Sequence, residues 1–285
     1  MRVDGSRLVA PTSIYAGHDL ATALTNIQAS GVDAVDIWAA PGVCDHLPLD
    51  HTKPAEVARI AGDLGLTIAA VSAFRHDESG CRRLMEWTAE LGCDLTVLGY
   101  RPLGPETDDW YGAVEPLIPA AAELGIRLAL ENHRDHPLES GDQIAAAMRH
   151  FADAPVGMCL APTHLFTTGN DPATVIADLG EKLFYYYFWD VPHGIAMGSR
   201  QAHALDPFEQ SPGGGQLDFR SHVRALEAGP FEGLIGIFWH GSEGWPVERV
   251  NALLLAGAAH ARAAIGESRI DTPPLEGMSD PLRPG

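Results

Sequence analysis

Amphipathic stretches alternate with short apolar runs along the whole chain, and a glycine marks most of the junctions between them. In two examples, IQASG is followed by VDAVDIW at Gly31, and AAELG is followed by IRLALEN at Gly125. Glycine just past a helix supplies the left-handed backbone conformation that ends it. The apolar runs are rich in Val, Ile and Leu, which is typical of strands buried on both faces of a parallel sheet. The pattern therefore predicts helices that stop at glycine and lead directly into buried strands.

This alternation predicts eight strands, each followed by a helix. The predicted strands cover residues 8–15, 33–38, 66–72, 94–99, 126–131, 156–160, 183–189 and 233–239. The predicted helices cover residues 18–30, 54–64, 79–91, 108–124, 140–151, 172–179, 218–228 and 247–266. Eight such units are typical of an α/β fold, the closed (β/α)₈ TIM barrel. The alternative is a doubly wound open sheet, but that fold usually carries a glycine-rich phosphate loop after its first strand, and SIYAGHD is not one.

Two segments fall outside this rhythm. Residues 191–218 follow strand 7, contain the run PGGGQLDF and are predicted to be a long loop without a helix. Loops of this length are usually functional lids or mobile segments, and this one is predicted at the face where barrels place their active sites. Residues 268–285 are rich in proline and are predicted to be an unpacked tail, so residues 1–267 form one barrel domain.

Composition and charge exclude several classes of function. The chain carries 38 acidic and 19 basic side chains, a formal net charge of −19, and its only lysines are Lys53 and Lys182. Binding to nucleic acid or to an anionic membrane surface needs clustered Lys and Arg, so neither partner is predicted. The four cysteines fit no zinc-ribbon or disulfide pattern, and the N-terminal residues lack the apolar stretch of a signal peptide. We expect a reduced, cytoplasmic protein.

Candidate acid–base groups stand where strands end, as barrel catalysis requires. Glu131 closes the apolar run IRLAL, and it points inward if Ala129 does, because side chains alternate along a strand. An inward carboxylate is costly to desolvate, which favours a catalytic group over a structural carboxylate paired with a neighbouring Arg or His. His164 in CLAPTHL follows strand 6 and Asp190 follows strand 7. His164 is a candidate proton-transfer group, and its structural alternative is a satisfied hydrogen-bonding histidine.

Aromatic side chains are concentrated at the same strand ends. Some of these rings must face the barrel mouth and the others must pack beneath helices. Rings at the mouth suit a ring-bearing substrate or a sugar stacked on an aromatic face, and the alternative is core packing for most of them. The candidate substrate-binding residues are Trp38, Phe74, Arg101, His133, Tyr187, Trp189, Phe238 and His240.

The order of several segments resembles the xylose-isomerase-like barrels. These segments are GVDAVDIW, LTIAAVSA, LGCDLTVLGY, GIRLALENH, VGMCLAPTHL, LFYYYFWDV, and PGGGQLDF followed by GLIGIFW. The resemblance covers roughly residues 10–265, and the family includes sugar phosphate isomerases and epimerases, inosose dehydratases and dehydroshikimate dehydratases. It implies the (β/α)₈ barrel and an isomerase, epimerase or lyase activity.

The same resemblance implies a metal site that this chain does not keep. Family members hold a divalent metal with a Glu after strand 5, an Asp after strand 6, a His on strand 7 and a Glu on strand 8. Glu131 matches the first ligand, but Ala161, Tyr187 and Phe238 stand at the other three positions. None of these three is a good ligand for a hard divalent ion, so no cofactor is predicted. The alternative is a rebuilt site that holds Mn, Mg or Zn between Glu131, His164 and His240.

The sequence therefore favours a metal-independent enzyme that moves a proton next to a carbonyl group of a small molecule. Glu131 is the predicted base, His164 or Asp190 the predicted acid, and Tyr187 and Arg101 are expected to orient an oxyanion. One alternative is a metal-dependent sugar isomerase or epimerase, and another is a non-catalytic homologue that binds a ligand. A homodimer is compatible with the sequence, which does not fix the oligomeric state.

Overall fold

The computed structural model describes residues 2–99, 110–200 and 206–266. Eight parallel strands form a closed barrel, because the first strand pairs with both the second and the last. This confirms the predicted barrel. The strands are β1 (Leu8–Pro11), β2 (Ala34–Ala40), β3 (Thr67–Ala73), β4 (Leu95–Leu98), β5 (Arg127–Glu131), β6 (Val156–Leu160), β7 (Leu183–Phe188) and β8 (Leu234–Ile237).

Helices surround the barrel and lie between successive strands, as the pattern predicts. They are α1 (Leu20–Ala29), α2 (Pro54–Asp63), α3 (Glu78–Glu90), α4 (Trp110–Val114), α5 (Ile118–Leu124), α6 (Gly141–His150), α7 (Pro162–Thr168), α8 (Pro172–Leu179), α9 (Pro207–Gln210), α10 (Phe219–Ala228) and α11 (Val247–Ala264). Their first turns carry local caps. Ser140 and Gln143 form a capping box at α6, and Asp171 accepts backbone N–H groups at the start of α8.

Two predicted elements differ from the structure near prolines. The first strand ends at Pro11, which has no N–H to donate to a ladder, and residues 12–15 form a 3₁₀ turn instead. The single helix predicted over residues 108–124 is divided into α4, a 3₁₀ turn at Glu115–Leu117 and α5, with Pro116 and Pro119 at the junctions. Its first two predicted residues lie outside the described part.

Two short helices were not predicted. Helix α7 begins at Pro162 and ends before Gly169, which has a φ of 88°. Proline in the first turn and glycine just past the end are the usual signs of a short helix, so the sequence did mark this one. The loop over residues 191–218 also contains the one-turn helix α9, contrary to the prediction that it had none. Asp206 caps it by accepting the Phe208 N–H at 3.0 Å.

Two hydrophobic layers result from the alternation of side chains along the strands. Outward residues such as Leu128 and Leu130 pack under the helices in one large cluster. Inward residues such as Ala129, Cys159 and Tyr185 form a second cluster inside the barrel. In the part of the chain that the structure describes, no helix is both long and apolar enough to span a bilayer. The predicted tail at residues 268–285 lies outside the described residues.

Candidate active site

Four aromatic rings form a continuous stack across the mouth of the barrel. Phe74 and Trp38 stack with centroids 4.3 Å apart, Trp38 tilts against Phe238 at 5.6 Å, and Phe238 stacks on Tyr187 at 4.5 Å. All four rings are buried. Gly99 makes room for the stack, since a Cβ atom there would lie 1.6 Å from the Phe74 ring. We call these four rings the aromatic stack.

Glu131 points into the barrel beside this stack, as the alternation along β5 predicts. It is 7% exposed, and its Oε2 atom is buried without a hydrogen-bond partner. Burial raises the pKa of Glu131 to about 8, and the nearby carboxyl group of Asp36 adds to the increase. The Tyr187 hydroxyl lowers this pKa slightly, although it makes no hydrogen bond of ordinary geometry. At neutral pH this carboxyl group is therefore largely protonated.

Asp36 is a second buried carboxyl group. Its Oδ2 atom accepts hydrogen bonds from Ser72 Oγ at 2.8 Å, Trp38 Nε1 at 3.2 Å and the Tyr185 hydroxyl at 3.4 Å. Burial raises the pKa of Asp36 to about 7, and these three donors oppose the increase. Asp36 stands at an inward position of β2, before the strand end.

Two histidines lie next to each other at the ends of β5 and β6. The rings of His133 and His164 have centroids 3.9 Å apart, and the Trp189 ring meets His164 edge-on at 5.0 Å. His133 Nδ1 lies 2.7 Å from the Arg134 carbonyl oxygen, so this nitrogen carries the proton. Burial lowers the pKa of His133. The ring is therefore held neutral with its other nitrogen as an acceptor.

Asp190 follows β7, as predicted, and its side chain is buried. Its oxygens accept four backbone N–H groups, from Val191 at 2.8 Å, Leu217 at 2.9 Å, Gly215 at 3.0 Å and Gly213 at 3.1 Å. Burial raises its pKa to about 6, while these donors stabilise the carboxylate. Because Trp189 faces the barrel interior, the next side chain along the strand faces outward. These contacts hold the glycine-rich run of the loop close to Asp190, and its role as an acid stays a prediction.

The loop after β7 contains the glycine-rich run Pro212 to Gly215, and two of its glycines are needed for close packing. A Cβ atom at Gly215 would lie 2.3 Å from the Val191 carbonyl oxygen and 2.5 Å from Asp190 Oδ1. A Cβ atom at Gly214 would lie 1.7 Å from the Phe208 carbonyl oxygen. No side chain fits at either position without moving the backbone. The run PGGG therefore allows the loop to pack closely against Asp190 and Phe208.

The first part of the same loop is held against α7, the helix that carries His164. The backbone N–H groups of Gly198 and Arg200 donate to carbonyl oxygens of α7, each at 2.9 Å. The Arg200 guanidinium pairs with Asp135 at 2.6 Å and with Glu139 at 2.9 Å. These contacts join the loop after β7 to the loop after β5.

The remaining predicted residues are placed as follows. His240 is half-buried, and its ring lies 4.7 Å from Phe238 and 5.1 Å from Trp189. It therefore belongs to the same group of rings. Gln210, which the sequence analysis did not select, is fully buried and hydrogen-bonds both Trp189 and His240. Arg101 lies outside the described residues.

The side chains at the mouth do not fit a divalent metal. Ala161, Tyr187 and Phe238 all belong to the inward cluster, where they present a methyl group, a phenol and a phenyl ring beside Glu131. Across residues 2–99, 110–200 and 206–266, no three His, Cys, Asp or Glu side chains converge in a way that could hold a metal ion. The alternative of a site rebuilt from Glu131, His164 and His240 is therefore not assembled.

The sequence matches the family model described as xylose isomerase-like TIM barrel over residues 24–263. D-psicose 3-epimerase, solved in the presence of D-fructose, is 14% identical with a TM-score of 0.68, and 91% of this chain and 99% of that chain are covered. A xylose isomerase-like TIM barrel protein from Mycobacterium smegmatis, in complex with magnesium, is 16% identical with a TM-score of 0.67, and the coverage is 92% and 99%.

A third similar structure is a fusion of a xylose isomerase-like TIM barrel with 4-hydroxyphenylpyruvate dioxygenase. It is 20% identical with a TM-score of 0.69, and the alignment covers 88% of this chain but 41% of that one. The chain thus spans less than half the length of that fusion protein. No protein of curated function matches the sequence. At these identities the structural likeness shows the fold.

Proposed function

Because the chain belongs to the xylose isomerase-like TIM barrel family, we propose that it is an enzyme of the isomerase/epimerase or lyase type that works without a divalent metal. It moves a proton at the carbon next to a carbonyl group of a small, ring-bearing substrate. The observation that carries the proposal is the buried carboxyl group of Glu131, which has a raised pKa and lies beside a stack of rings. The likeness to a sugar epimerase supports the isomerase/epimerase part.

Glu131 serves as the base in this proposal. A carboxylate in a site poor in water is a stronger base than one in solution, and its raised pKa lies close to the pH at which it must accept a proton. The proton leaves the carbon next to the carbonyl group and is bound by Glu131. In an epimerisation the proposed acid, His164, supplies a proton to the opposite face of the carbon. In an isomerisation the proton moves to a neighbouring carbon, and in an elimination it stays on Glu131 while a leaving group departs with its bonding electrons.

The developing oxyanion needs a donor, since no metal supplies the positive charge. Burial raises the pKa of the Tyr187 hydroxyl well above its ordinary value, so it keeps its proton and can donate a hydrogen bond throughout the reaction. His164 lies against His133 and Trp189 and is the proposed acid. Arg101 remains a proposed oxyanion contact.

The walls favour a substrate with an apolar or ring-shaped body. Trp38, Phe74, Tyr187 and Phe238 supply ring faces and edges, on which a flat molecule or a sugar face stacks. The partner in this proposal is one small molecule, with no role for nucleic acid or a membrane. We place the enzyme in the cytoplasm, as a single barrel over residues 1–267 that is compatible with a homodimer.

The first test is exchange of a substrate proton with deuterium from heavy water, followed by proton NMR. A panel of ketoses, keto sugars and cyclic ketones is incubated with the full chain, with and without a chelator and with added Mn²⁺ or Mg²⁺. We expect exchange next to the carbonyl of at least one panel member, unaffected by the chelator. Glu131→Gln should lose the activity by at least about a hundredfold, the usual contribution of a general base.

Glu139→Gln is the matched control, because Glu139 is a carboxylate that pairs with Arg200 outside the barrel. It should exchange protons at the wild-type rate. Exchange that needs added metal would overturn the metal-independent proposal in favour of the metal-dependent sugar isomerase. Binding of a panel member without any exchange would favour the non-catalytic homologue.

A further inference from the structure

Gln210 occupies an unusual position for a polar side chain. It is the last residue of the one-turn helix α9, outside the barrel strands, yet none of its surface is exposed. Its backbone carbonyl oxygen accepts the Asp190 N–H at 2.8 Å, which fixes α9 to the end of β7. A buried amide side chain needs hydrogen-bond partners, because an unpaired one is destabilising.

Its partners come from two different strand ends. Gln210 Oε1 accepts hydrogen bonds from Trp189 Nε1 at 3.1 Å and from the His240 backbone N–H at 3.2 Å. Gln210 Nε2 donates to the His240 carbonyl oxygen at 3.2 Å. The indole and backbone N–H groups can only donate, so the oxygen of the amide must face them. One amide thus joins the residues that follow β7 and β8.

Both partners belong to the proposed site. The Trp189 ring stands edge-on to His164 at 5.0 Å with an interplanar angle of 86°, and it meets Phe238 at 5.0 Å and His240 at 5.1 Å. Rotation of the indole about its side-chain bonds would remove its edge from His164. The hydrogen bond from its Nε1 atom to Gln210 opposes that rotation.

We propose that Gln210 is a positioning residue, which holds the Trp189 indole against His164 and fixes the chain at His240. This inference rests on the proposed function, because Trp189 and His240, which Gln210 holds in place, are residues that we assign to the proposed site. Gln210 acts on the site through its hydrogen bonds to Trp189 and to the backbone of His240.

The test compares three full-length variants. Gln210→Met keeps the size of the side chain and removes both the acceptor and the donor. Gln210→Glu keeps an acceptor for Trp189 and removes the donor to the His240 carbonyl oxygen. The matched control is Gln216→Met, since Gln216 lies in the same loop and donates to Pro192 and Ile195 carbonyl oxygens, each at 2.8 Å.

The first measurement is the indole N–H spectrum of protein labelled with ¹⁵N-tryptophan, in which Trp189→Phe identifies the Trp189 signal. In Gln210→Met we expect this signal to shift and its exchange with water to become about tenfold faster, as the loss of one buried hydrogen bond predicts. In Gln210→Glu the signal should stay protected. In Gln216→Met it should be unchanged.

The second measurement is the rate at which diethyl pyrocarbonate modifies each histidine, followed by peptide mass spectrometry. His164 is 3% exposed, and we expect its modification in Gln210→Met to become several-fold faster, roughly in proportion to the opening of Trp189. Histidines far from the site, such as His51, serve as internal references. If Gln210→Met does not fold, Gln210→Glu tests the inference instead. In this variant the modification rate of His240 should rise while that of His164 stays unchanged.

Two results would overturn the inference. One is a Trp189 signal in Gln210→Met that keeps its wild-type position and exchange rate. The other is an equal change in Gln216→Met, which would mean that loosening the loop, and not the amide of Gln210, moves the indole. Neither measurement requires turnover. Failure of the Glu131-dependent proton exchange would therefore overturn the proposed function and leave the placement of Trp189 by Gln210 intact.

Discussion

At the residue scale, the site depends on two carboxyl groups whose pKa values burial raises to near neutral pH. Glu131 and Asp36 have pKa values of about 8 and about 7, and desolvation is the largest cause for both. Each carboxyl group also has one buried oxygen atom without a hydrogen-bond partner. A charge on Asp36 disfavours a charge on Glu131 and so raises the pKa of Glu131.

The first prediction concerns the pH dependence of the proton exchange. Because the base form of Glu131 is needed, the rate at low substrate concentration should rise with pH and level off above about pH 8. The measurement is the deuterium-exchange rate between about pH 5.5 and pH 9. A rate that is already constant at pH 6 would contradict the assignment of Glu131 as base.

A second prediction concerns Asp36→Asn. The variant keeps an oxygen that can accept from Ser72 and from Trp38, but it removes the negative charge that raises the pKa of Glu131. The midpoint of the pH profile should therefore move to lower pH, by about one unit. Glu139→Gln is the control, since it removes a carboxylate that pairs with Arg200 outside the barrel, and it should leave the midpoint unchanged. An unchanged midpoint in Asp36→Asn would show that the two carboxyl groups act independently.

At the scale of elements, the loop after β7 is held in place by main-chain contacts. Asp190 collects four backbone N–H groups from this loop, and the glycines allow the chain to approach it closely. Helix α9 then carries Gln210 to the ends of β7 and β8. These contacts hold the described part of the loop, residues 191–200 and 206–218, next to the ends of β7 and β8.

The third prediction tests this packing with Gly215→Ala. The added Cβ atom would lie 2.3 Å from the Val191 carbonyl oxygen, so the loop must move. We expect a loss of about 1–3 kcal/mol in the free energy of unfolding, measured in urea, and faster hydrogen exchange over residues 206–217. Gly62→Ala is the control, because a Cβ atom there meets nothing within 4 Å, and stability should be kept or increased. Equal effects of the two changes would refute the tight packing at Gly215.

At the scale of the whole molecule, the two carboxyl groups buried in the closed barrel make the free energy of unfolding depend on pH. Neither group can ionise inside the barrel without cost, whereas both ionise freely in the unfolded chain. Folding raises the pKa of each carboxyl group. The contribution of each group to the free energy of unfolding is therefore fully present below the pKa of the unfolded chain, and it is lost as the pH rises through the pKa of the folded protein.

The fourth prediction follows for the free energy of unfolding. It should fall between about pH 5.5 and pH 9 in the wild-type protein, and Glu131 alone should account for up to roughly 3 kcal/mol at about 1.4 kcal/mol per pKa unit. Glu131→Gln has no such group and should lose less stability over the same range. Urea unfolding at both pH values checks this, and parallel pH dependences in the two proteins would contradict a raised pKa at Glu131.

The sequence by itself determined the alternation of strands with helices, the helix stops and the inward direction of Glu131. These features are local, since a glycine ends the helix it follows and side chains alternate along any strand. The tertiary structure decided that Asp36 lies near Glu131, that Asp190 faces the loop, and that Gln210 supports Trp189. These are contacts between distant parts of the chain. Barrel closure and the path of a long loop set them, and no local pattern of residues encodes either.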